Sequence, residues 1–390
     1  MAREWQLAVD LGTTRTRAAY TTPGSGSPVV VTMPATQLAW FPTAVARSSD
    51  GRWLVGDAAE SRRLSRPDWY WDDVKRHVGS DESYLLGGHP FAPVEAITQP
   101  LLHAARLARR HAGRVLDRLV LSAPVCFTAE QLAALREAGE NAGFAPDTIT
   151  TVDEALASSR SALGPRPEDG LWLVVDIGGG TFDAALLAAD HGLSTVLDQT
   201  GDDTAGGNAL DTAVVAWLRE RYQIDDGADD GKGDGGKTGT GTGTETGDGA
   251  GADRADTGTG GDDHAARRRG LYLRAAARTL REQLSEARTA DVFLPDLALE
   301  LTLTAVRLRQ LAGPVLAPAI ERCAAMLGRH DLSWEKLSAV VLTGGAAHSP
   351  AVRAEFEALA PLRVAAAPEL TVVLGLTVPA GASNRVLSVH

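Results

Sequence analysis

The chain of 390 residues is 44% hydrophobic and carries 38 basic against 50 acidic side chains, a formal charge of −12. A protein that follows a nucleic-acid backbone needs a basic surface, so this balance disfavours nucleic acid as a partner. No apolar run approaches the ~20 residues that span a bilayer, so we expect no membrane association through a spanning helix.

Most of the acidity lies in one segment, residues 225–263, which holds 11 acids, 3 bases and 14 glycines. It has no aromatic or large aliphatic residue and cannot bury enough apolar surface to offset its ordering entropy. We therefore predict a disordered insert. Within it, residues 231–238 read GKGDGGKT and match the P-loop pattern, but the flanking strand and helix that such a loop needs are missing. We interpret the match as a chance result of a composition rich in Gly, Lys and Thr.

Short apolar runs that end in Gly, Thr or Asp clusters recur along the chain and predict buried strands. In chain order they are residues 5–9, 119–122, 171–175 and 339–342. Segments with helical periodicity lie between and after them, at 94–111, 129–142, 153–162, 210–222, 265–287, 308–327 and 349–359. This alternation predicts an α/β architecture with helices packed on sheets, and the length suits two lobes or more.

The two cysteines, Cys126 and Cys323, stand in apolar segments and predict buried free thiols rather than a disulfide. The nine histidines show no metal-ligand spacing. The amino terminus enters a strand-like segment without a basic leader, which disfavours secretion. We therefore expect a cytoplasmic protein.

An internal repeat joins the two halves of the chain. DLGTT at 10–14 and DIGGGT at 176–181 share one order: apolar strand, aspartate, apolar residue, glycine, then small residues ending in threonine. Glycines let successive backbone N–H groups converge on an anion, and aspartates beside phosphate are suited to hold Mg²⁺. The repeat predicts two related lobes whose turns clamp the phosphates of a nucleotide across a cleft.

Four motifs together carry a family resemblance: DLGTT, DIGGGTFD (176–183), GDDTAGGNALD (201–211) and LTGGAAHSP (342–350). In this order they resemble the nucleotide-binding domain of the heat-shock protein 70 (DnaK-type) chaperones, within the actin-like ATPase superfamily. The resemblance runs over about residues 6–377. It implies a two-lobed actin-like ATPase fold, of duplicated ribonuclease-H-like type, with the nucleotide cleft between the lobes.

The resemblance also implies a division of the chain. We expect lobe I at 1–160, with a shortened outer subdomain, and lobe II at 161–390, with the insert at 225–263. Because the sequence ends at His390, we expect the family's substrate-binding domain to be missing.

The same resemblance implies roles for individual residues, with ATP and Mg²⁺ as cofactors and K⁺ as a further candidate ion. The catalytic candidates are Lys75, which would orient the attacking water, Glu154, Asp176 and Thr181. The candidate metal ligands are Asp10, Asp176 and Asp183. The candidate nucleotide contacts are Gly12, Thr13, Thr14, Gly178, Gly179, Gly180, Thr181, Gly206, Gly207, Arg281, Ser285, Gly344, Gly345, His348 and Glu369.

Three departures from the family pattern lie on the adenosine side. Arg278 stands where the family has a ribose-binding glutamate, His348 where it has an arginine that stacks on the purine, and Glu369 where it has an aspartate. The resemblance therefore implies that the residues for phosphate and metal binding are retained, whereas those for recognition of the base are altered.

Three functions are compatible with these features. The first is a slowly hydrolysing ATPase module of chaperone type, acting as a monomer on a protein client or with a separately encoded substrate-binding partner. The second is a nucleotide-gated regulatory protein with negligible turnover. The third, a small-molecule kinase of the same superfamily, is permitted by DLGTT but disfavoured by DIGGGTFD and the 201–211 motif.

Overall fold

A computed structural model describes residues 5–22, 27–224, 260–379 and 384–386 of the chain. The strands in chain order are β1 Gln6–Leu11, β2 Arg15–Thr21, β3 Val29–Val30, β4 Phe41–Pro42, β5 Val45–Arg47, β6 Trp53–Val55, β7 Tyr70–Trp71, β8 Tyr84–Leu86, β9 His89–Phe91, β10 Arg118–Ala123, β11 Ile149–Asp153, β12 Gly170–Ile177, β13 Phe182–Asp190, β14 Leu193–Asp202, β15 Thr289–Leu294, β16 Leu299–Thr304, β17 Ala339–Thr343, β18 Leu362–Val364 and β19 Asn384–Val386.

The α-helices are α1 Asp57–Glu60, α2 Pro93–Ala112, α3 Ala129–Asn141, α4 Glu154–Ala162, α5 Gly207–Tyr222, α6 Gly260–Gln283, α7 Ala305–Arg329, α8 Pro350–Glu357 and α9 Thr371–Gly375. Within the described part of the chain, no helix combines the length and the apolar character that a membrane crossing requires.

Two mixed sheets repeat one topology. The first has the order β11-β10-β1-β2-β3, with β4 also paired to β2, and the second has the order β18-β17-β12-β13-β14-β19. In each sheet the strand before the glycine turn pairs antiparallel with the strand after it, and parallel with a strand from further along the chain. The predicted relation between the two halves is therefore present in the strand order, and the fold is the two-lobed actin-like one.

Each sheet has its own apolar core. The first packs against α2 and α3, and the second against α5, α6, α7 and α8. Two helices lie between the sheets: Ala155 and Leu156 of α4 pack on the second sheet, while Ala157 packs with Val372 and Val373 of α9 beside the first. Strands β1 and β12 are buried over most of their length, and residues of the turns that follow them line the cavity between the lobes.

The predicted elements compare closely with these bounds. All four predicted strands and all seven predicted helices are confirmed, as β1, β10, β12 and β17 and as α2 to α8. The boundary of the insert differs, because α6 begins at Gly260, inside the predicted 225–263 segment. Residues 225–259, including the P-loop-like stretch, lie outside the described residues.

Helix α9 lies against the first sheet, where Gln6 Nε2 donates to the Leu376 carbonyl at 3.1 Å. The division of the chain into lobe I at 1–160 and lobe II at 161–390 stays a prediction. One expectation about the cysteines changes with the structure. The expected burial of both thiols holds for Cys323 and is wrong for Cys126, which is exposed because it lies in the loop after β10.

Candidate nucleotide-binding site

The two glycine turns predicted from the sequence lie face to face between the lobes. A Cβ placed on Gly179 would lie 2.6 Å from Thr14 Oγ1, and a Cβ on Gly180 would overlap the hydroxyl of Thr13. Only glycine permits so close an approach of backbone and side chain. The backbone N–H groups of both turns can therefore converge on one anion in the space they share.

Lys75 and Glu154 form a buried ion pair at the deep end of this cleft. Lys75 Nζ donates to Glu154 Oε1 at 2.6 Å, and their side chains are only 4% and 6% exposed. Burial alone would lower the pKa of Lys75, but the carboxylates of Glu154 and Asp10 outweigh it and raise that pKa. The lysine is therefore a charged donor whose direction is fixed by its partner.

Asp176 ends the buried strand β12 and faces the same space. Its Oδ2 accepts hydrogen bonds from Ser158 Oγ at 2.8 Å and from Thr343 Oγ1 at 2.9 Å. Burial, followed by the negative charge of Glu154, raises the pKa of Asp176 to about 7, although the two hydroxyl donors oppose the rise. The two hydroxyl groups thus orient the carboxylate, whereas burial and Glu154 destabilise its charged form.

Asp183 and Asp10 complete a group of buried acids. Asp183 Oδ1 accepts the Val125 N–H at 2.8 Å, and burial raises the pKa of Asp183 well above its usual range. Burial also raises the pKa of Asp10, whose Oδ2 lies 3.4 Å from Arg17 Nη1. In this buried group, four carboxylates face the two cationic side chains of Lys75 and Arg17.

That surplus of negative charge suits a divalent cation. Mg²⁺ is held in proteins by one or two carboxylates, several waters and the phosphates of a substrate. Asp10 and Asp176 line the cleft and offer such carboxylates, whereas Asp183 lies behind the wall. The residues present therefore fit Mg²⁺ bound together with phosphate.

The far end of the cleft is lined by arginines from α6. Arg281 donates to both carboxylate oxygens of Asp211, at 2.6 and 3.3 Å, and is buried. Arg278 reaches the same aspartate at 3.4 Å and Asn208 Oδ1 at 3.2 Å. Asp211 therefore fixes two guanidinium groups, and the altered position 278 presents a cation toward the cleft.

One ion pair and one histidine–carboxylate contact lie at this end. Arg15 Nη2 of β2 donates to Glu282 Oε1 of α6 at 2.9 Å, which joins the two lobes directly, and its guanidinium lies 4.2 Å from the Trp40 ring centroid. His348 Nε2 lies 2.9 Å from Glu369 Oε2. The cavity left between the lobes measures about 70 Å³.

Most of the predicted site residues line this one cavity. They are Asp10, Gly12, Thr13, Thr14, Lys75, Glu154, Asp176, Gly178, Gly179, Thr181, Gly207, Arg281, Gly344, Gly345 and Glu369. The remaining five lie close by but off its wall. Gly180 lines a neighbouring cavity, Asp183 and Gly206 are packed behind the turns, Ser285 lies in the turn after α6, and His348 bonds to Glu369.

Sequence reasoning missed a second group of residues at the site. Arg15, Arg17, Asn208, Glu282, Ala346, Pro368 and Val372 also line the cavity. The donors Ser122, Ser158 and Thr343 orient the acids. A polar residue at the carboxyl end of an otherwise apolar strand was a usable indication for Ser122 and Thr343. Nothing local in the sequence indicated Glu282.

The fold and the paired glycine turns are those of the actin-like class. Comparison with known proteins agrees, since the family model "Hsp70 protein" matches residues 83–234. The chain is 26% identical over 361 residues to the Chaperone protein DnaK of Methanothermobacter thermautotrophicus, which covers 90% of this chain and 55% of that protein. It is 27% identical over 364 residues to that of Cenarchaeum symbiosum, with shares of 89% and 49%.

A shorter match has a higher identity. The Chaperone protein DnaK of Halobacterium salinarum is 32% identical over 230 residues, 59% of this chain and 36% of that protein. The chain is thus similar to DnaK chaperones over about 90% of its length, and the Hsp70 family model matches its residues 83–234. It spans about half the length of the curated relatives that it matches over most of its own length.

Proposed function

We propose that the chain binds ATP with Mg²⁺ between its lobes and hydrolyses it slowly to ADP and phosphate. The observation that carries the proposal is the apposition of Thr13 and Thr14 to Gly179 and Gly180, beside a buried lysine and four carboxylates. Such a site offers donors for phosphate oxygens and acids for a cation within one cleft.

In the proposed reaction a water oxygen bonds to the terminal phosphorus, and the bond from that phosphorus to the bridging oxygen breaks. ADP keeps the bridging oxygen, and the proton of the water passes to solvent or to phosphate. Lys75, held by Glu154 at 2.6 Å, positions the water and the terminal phosphate by donation from Nζ. Threonine hydroxyls and glycine N–H groups offset the charge that develops on the oxygens.

When bound, Mg²⁺ supplies charge neutralisation for the phosphate oxygens. The chain's own part is to orient the carboxylates that hold it. Ser158 and Thr343 fix Asp176, and Arg17 and Ser122 fix Asp10. K⁺ is a further candidate ion at the same acids.

A second function is favoured by the closure of the cleft. With about 70 Å³ between the lobes and Arg15 joined to Glu282, nucleotide occupancy changes the relation of the lobes. A nucleotide-gated regulatory protein needs only this coupling and no turnover. In either case we propose a cytoplasmic monomer that acts on a protein client or a separately encoded substrate-binding partner, without nucleic acid or membrane.

Quantifying ATP binding and single-turnover hydrolysis with Mg²⁺ tests both proposals. We expect wild-type protein to bind ATP and release ADP, and Asp176→Asn to slow cleavage at least tenfold. Asp190→Asn is the matched control, because it changes the same atoms in an exposed residue. Tight binding without ADP formation would favour the gated protein, and a wild-type chain that binds no ATP would overturn both.

A further inference from the structure

Arg17 is a buried arginine of the cleft to which the proposed reaction gives no contact with the nucleotide. It lies in β2, directly opposite Asp10 of β1. Residues directly opposite in an antiparallel pair share one face of the sheet, so both side chains project to the same side. Arg17 is only 8% exposed and lines the cavity between the lobes together with Asp10. Strand β2 therefore carries a positive charge into the cleft.

The guanidinium group of Arg17 has unused hydrogen-bond donors. Its Nη1 reaches Asp10 Oδ2 at 3.4 Å, which is long for an N–H···O bond, and the buried Nε atom has no partner among the described residues. Asp10 is oriented from its other oxygen as well, by Ser122 Oγ at 3.1 Å. A buried charged donor without a partner destabilises the folded protein, and an anion bound beside it removes that penalty.

Arg17 lies between the two ends of the cleft. It contacts Asp10, which belongs to the buried acids of the deep end, and its charge also reaches Glu369 at the far end. Burial raises the pKa of Glu369, but hydrogen bonds with the backbone and His348 and the charges of His348 and Arg17 outweigh burial and lower that pKa. Lys75, which is proposed to meet the terminal phosphate, lies at the deep end. The guanidinium is therefore placed further along a nucleotide than the terminal phosphate.

We propose that Arg17 binds a phosphate of the nucleotide other than the terminal one, a group that ATP and ADP share. The inference rests on the proposed nucleotide binding and adds a phosphate ligand from β2 to the two glycine turns. A planar guanidinium can donate to two phosphate oxygens at once. The flanking carboxylates have other partners, because Asp10 is a proposed ligand of Mg²⁺ and Glu369 bonds to His348.

Affinities for ATP and ADP in the presence of Mg²⁺ test the proposal. We expect Arg17→Gln to weaken both nucleotides by the same factor, about tenfold or more, as for the loss of a hydrogen bond to a charged group. Arg17→Lys keeps the charge without the planar fork, so it should recover part of the affinity and still bind both nucleotides about threefold more weakly than wild type. Isothermal titration measures these constants, with competition against a fluorescent ADP analogue where binding is weak.

Two results of this measurement would overturn the proposal. A loss confined to ATP would assign Arg17 to the terminal phosphate. Unchanged affinities for both nucleotides in Arg17→Gln would show that the guanidinium does not contact them and is satisfied by water.

Arg47→Gln is the matched control. The side chains of Arg17 and Arg47 are 10% and 11% exposed, and the Nε of Arg47 likewise has no partner among the described residues. The guanidinium of Arg47, however, lies 3.6 Å from the Trp53 ring centroid and outside the lining of the cleft. Its affinities should stay within twofold of wild type. An equal loss in both variants would mean that removing any buried arginine weakens the site, which contradicts a direct contact.

A purely structural role for Arg17 would act through Asp10, and a double-mutant cycle separates the two roles. If Arg17 binds phosphate itself, Arg17→Gln should still weaken ADP binding about tenfold in an Asp10→Asn background. If the loss disappears in that background, Arg17 only orients Asp10 and the proposal is wrong. The proposed function fails in a different way, because the wild-type protein would then bind neither ATP nor ADP. Thermal unfolding without nucleotide confirms that each variant is folded before it is titrated.

Discussion

The buried carboxylate of Asp176 destabilises the folded protein at neutral pH. The side chain is 5% exposed and its pKa is raised to about 7 by burial and then by Glu154, even though Ser158 and Thr343 donate to it. Near neutral pH, the folded protein holds a carboxylate that would be more stable in water. We infer that the position is kept for the cation that the site would bind.

This cost predicts a pH-dependent stability. The pKa of Asp176 is about 7 when folded and 3.8 when unfolded, so the folded state binds the extra proton and stability falls as pH rises from about 4 to 7. Asp176→Asn removes that loss. We expect its free energy of unfolding without nucleotide to exceed wild type by on the order of 1–2 kcal/mol at pH 8, and the gain to vanish near pH 4.

Chemical denaturation at a series of pH values measures this difference. Asp190→Asn, at an exposed residue, should track wild type at every pH. A gain for Asp176→Asn that is the same at pH 4 and pH 8 would show that the carboxylate is not strained in the folded protein.

The Lys75–Glu154 pair gives a second prediction at the residue scale. Replacing one partner of a buried pair leaves the other charge uncompensated, which costs about 3–5 kcal/mol, whereas replacing both is close to neutral. Lys75→Met should therefore destabilise the protein far more than Lys75→Met combined with Glu154→Gln. Urea unfolding of both variants checks this, and equal losses would mean that water or another cation already compensates Glu154.

At the scale of elements, seven helices and four strands were predictable, whereas the two longest strands, β13 and β14, were not predicted. The helices α2 to α8 and the strands β1, β10, β12 and β17 follow from apolar spacing and turn residues, because burial imposes those patterns on the sequence. The strands β5 to β9 have two or three residues each, too few to show a period. The five-residue helix α9 was missed for the same reason.

The residues of the site also fall into a predictable and an unpredictable group. Its glycines, threonines and aspartates stand in local motifs, so they could be predicted. Arg15 and Glu282 are 267 residues apart in the sequence, and no local sequence pattern indicates their contact. Exposure of Cys126 was also unpredictable, since it depends on the neighbouring cavity that opens beside the loop after β10.

The contact of α9 with α4 gives the element-scale prediction. A Cβ on Gly375 would overlap the carbonyl group of Ala157 and lie 2.9 Å from its Cα, backbone that cannot move aside. Gly375→Ala should lower the free energy of unfolding by about 1–3 kcal/mol. Gly328→Ala in α7 is the control, because nothing lies within 4 Å of its added Cβ and helix propensity predicts a neutral or stabilising effect. Similar stabilities for the two variants, by thermal or chemical unfolding, would contradict this close packing.

At the scale of the whole molecule, two copies of one sheet topology bring their turns together around the proposed nucleotide site. Neither lobe offers the complete site, because Lys75 and Asp10 come from one and Asp176 and Arg281 from the other. The relative position of the lobes therefore decides whether the site exists. The α4–α9 contact and the Arg15–Glu282 pair both join them.

The Arg15–Glu282 pair should accordingly control how fast a nucleotide leaves. Its side chains are 31% and 43% exposed, and a partly exposed pair contributes about 0.2–1 kcal/mol, up to roughly a fivefold change in rate. We expect Glu282→Gln to speed dissociation of a fluorescent ATP analogue two- to fivefold in stopped-flow experiments at low salt. The effect should disappear near 1 M salt, where the Debye length falls to about 3 Å. Arg52→Gln breaks the exposed pair with Asp50, far along the chain from the cleft residues of α6, and should leave the rate unchanged. An acceleration by Glu282→Gln that persists in high salt would assign the effect to lost packing, and no acceleration at low salt would show that the pair does not hold the lobes together.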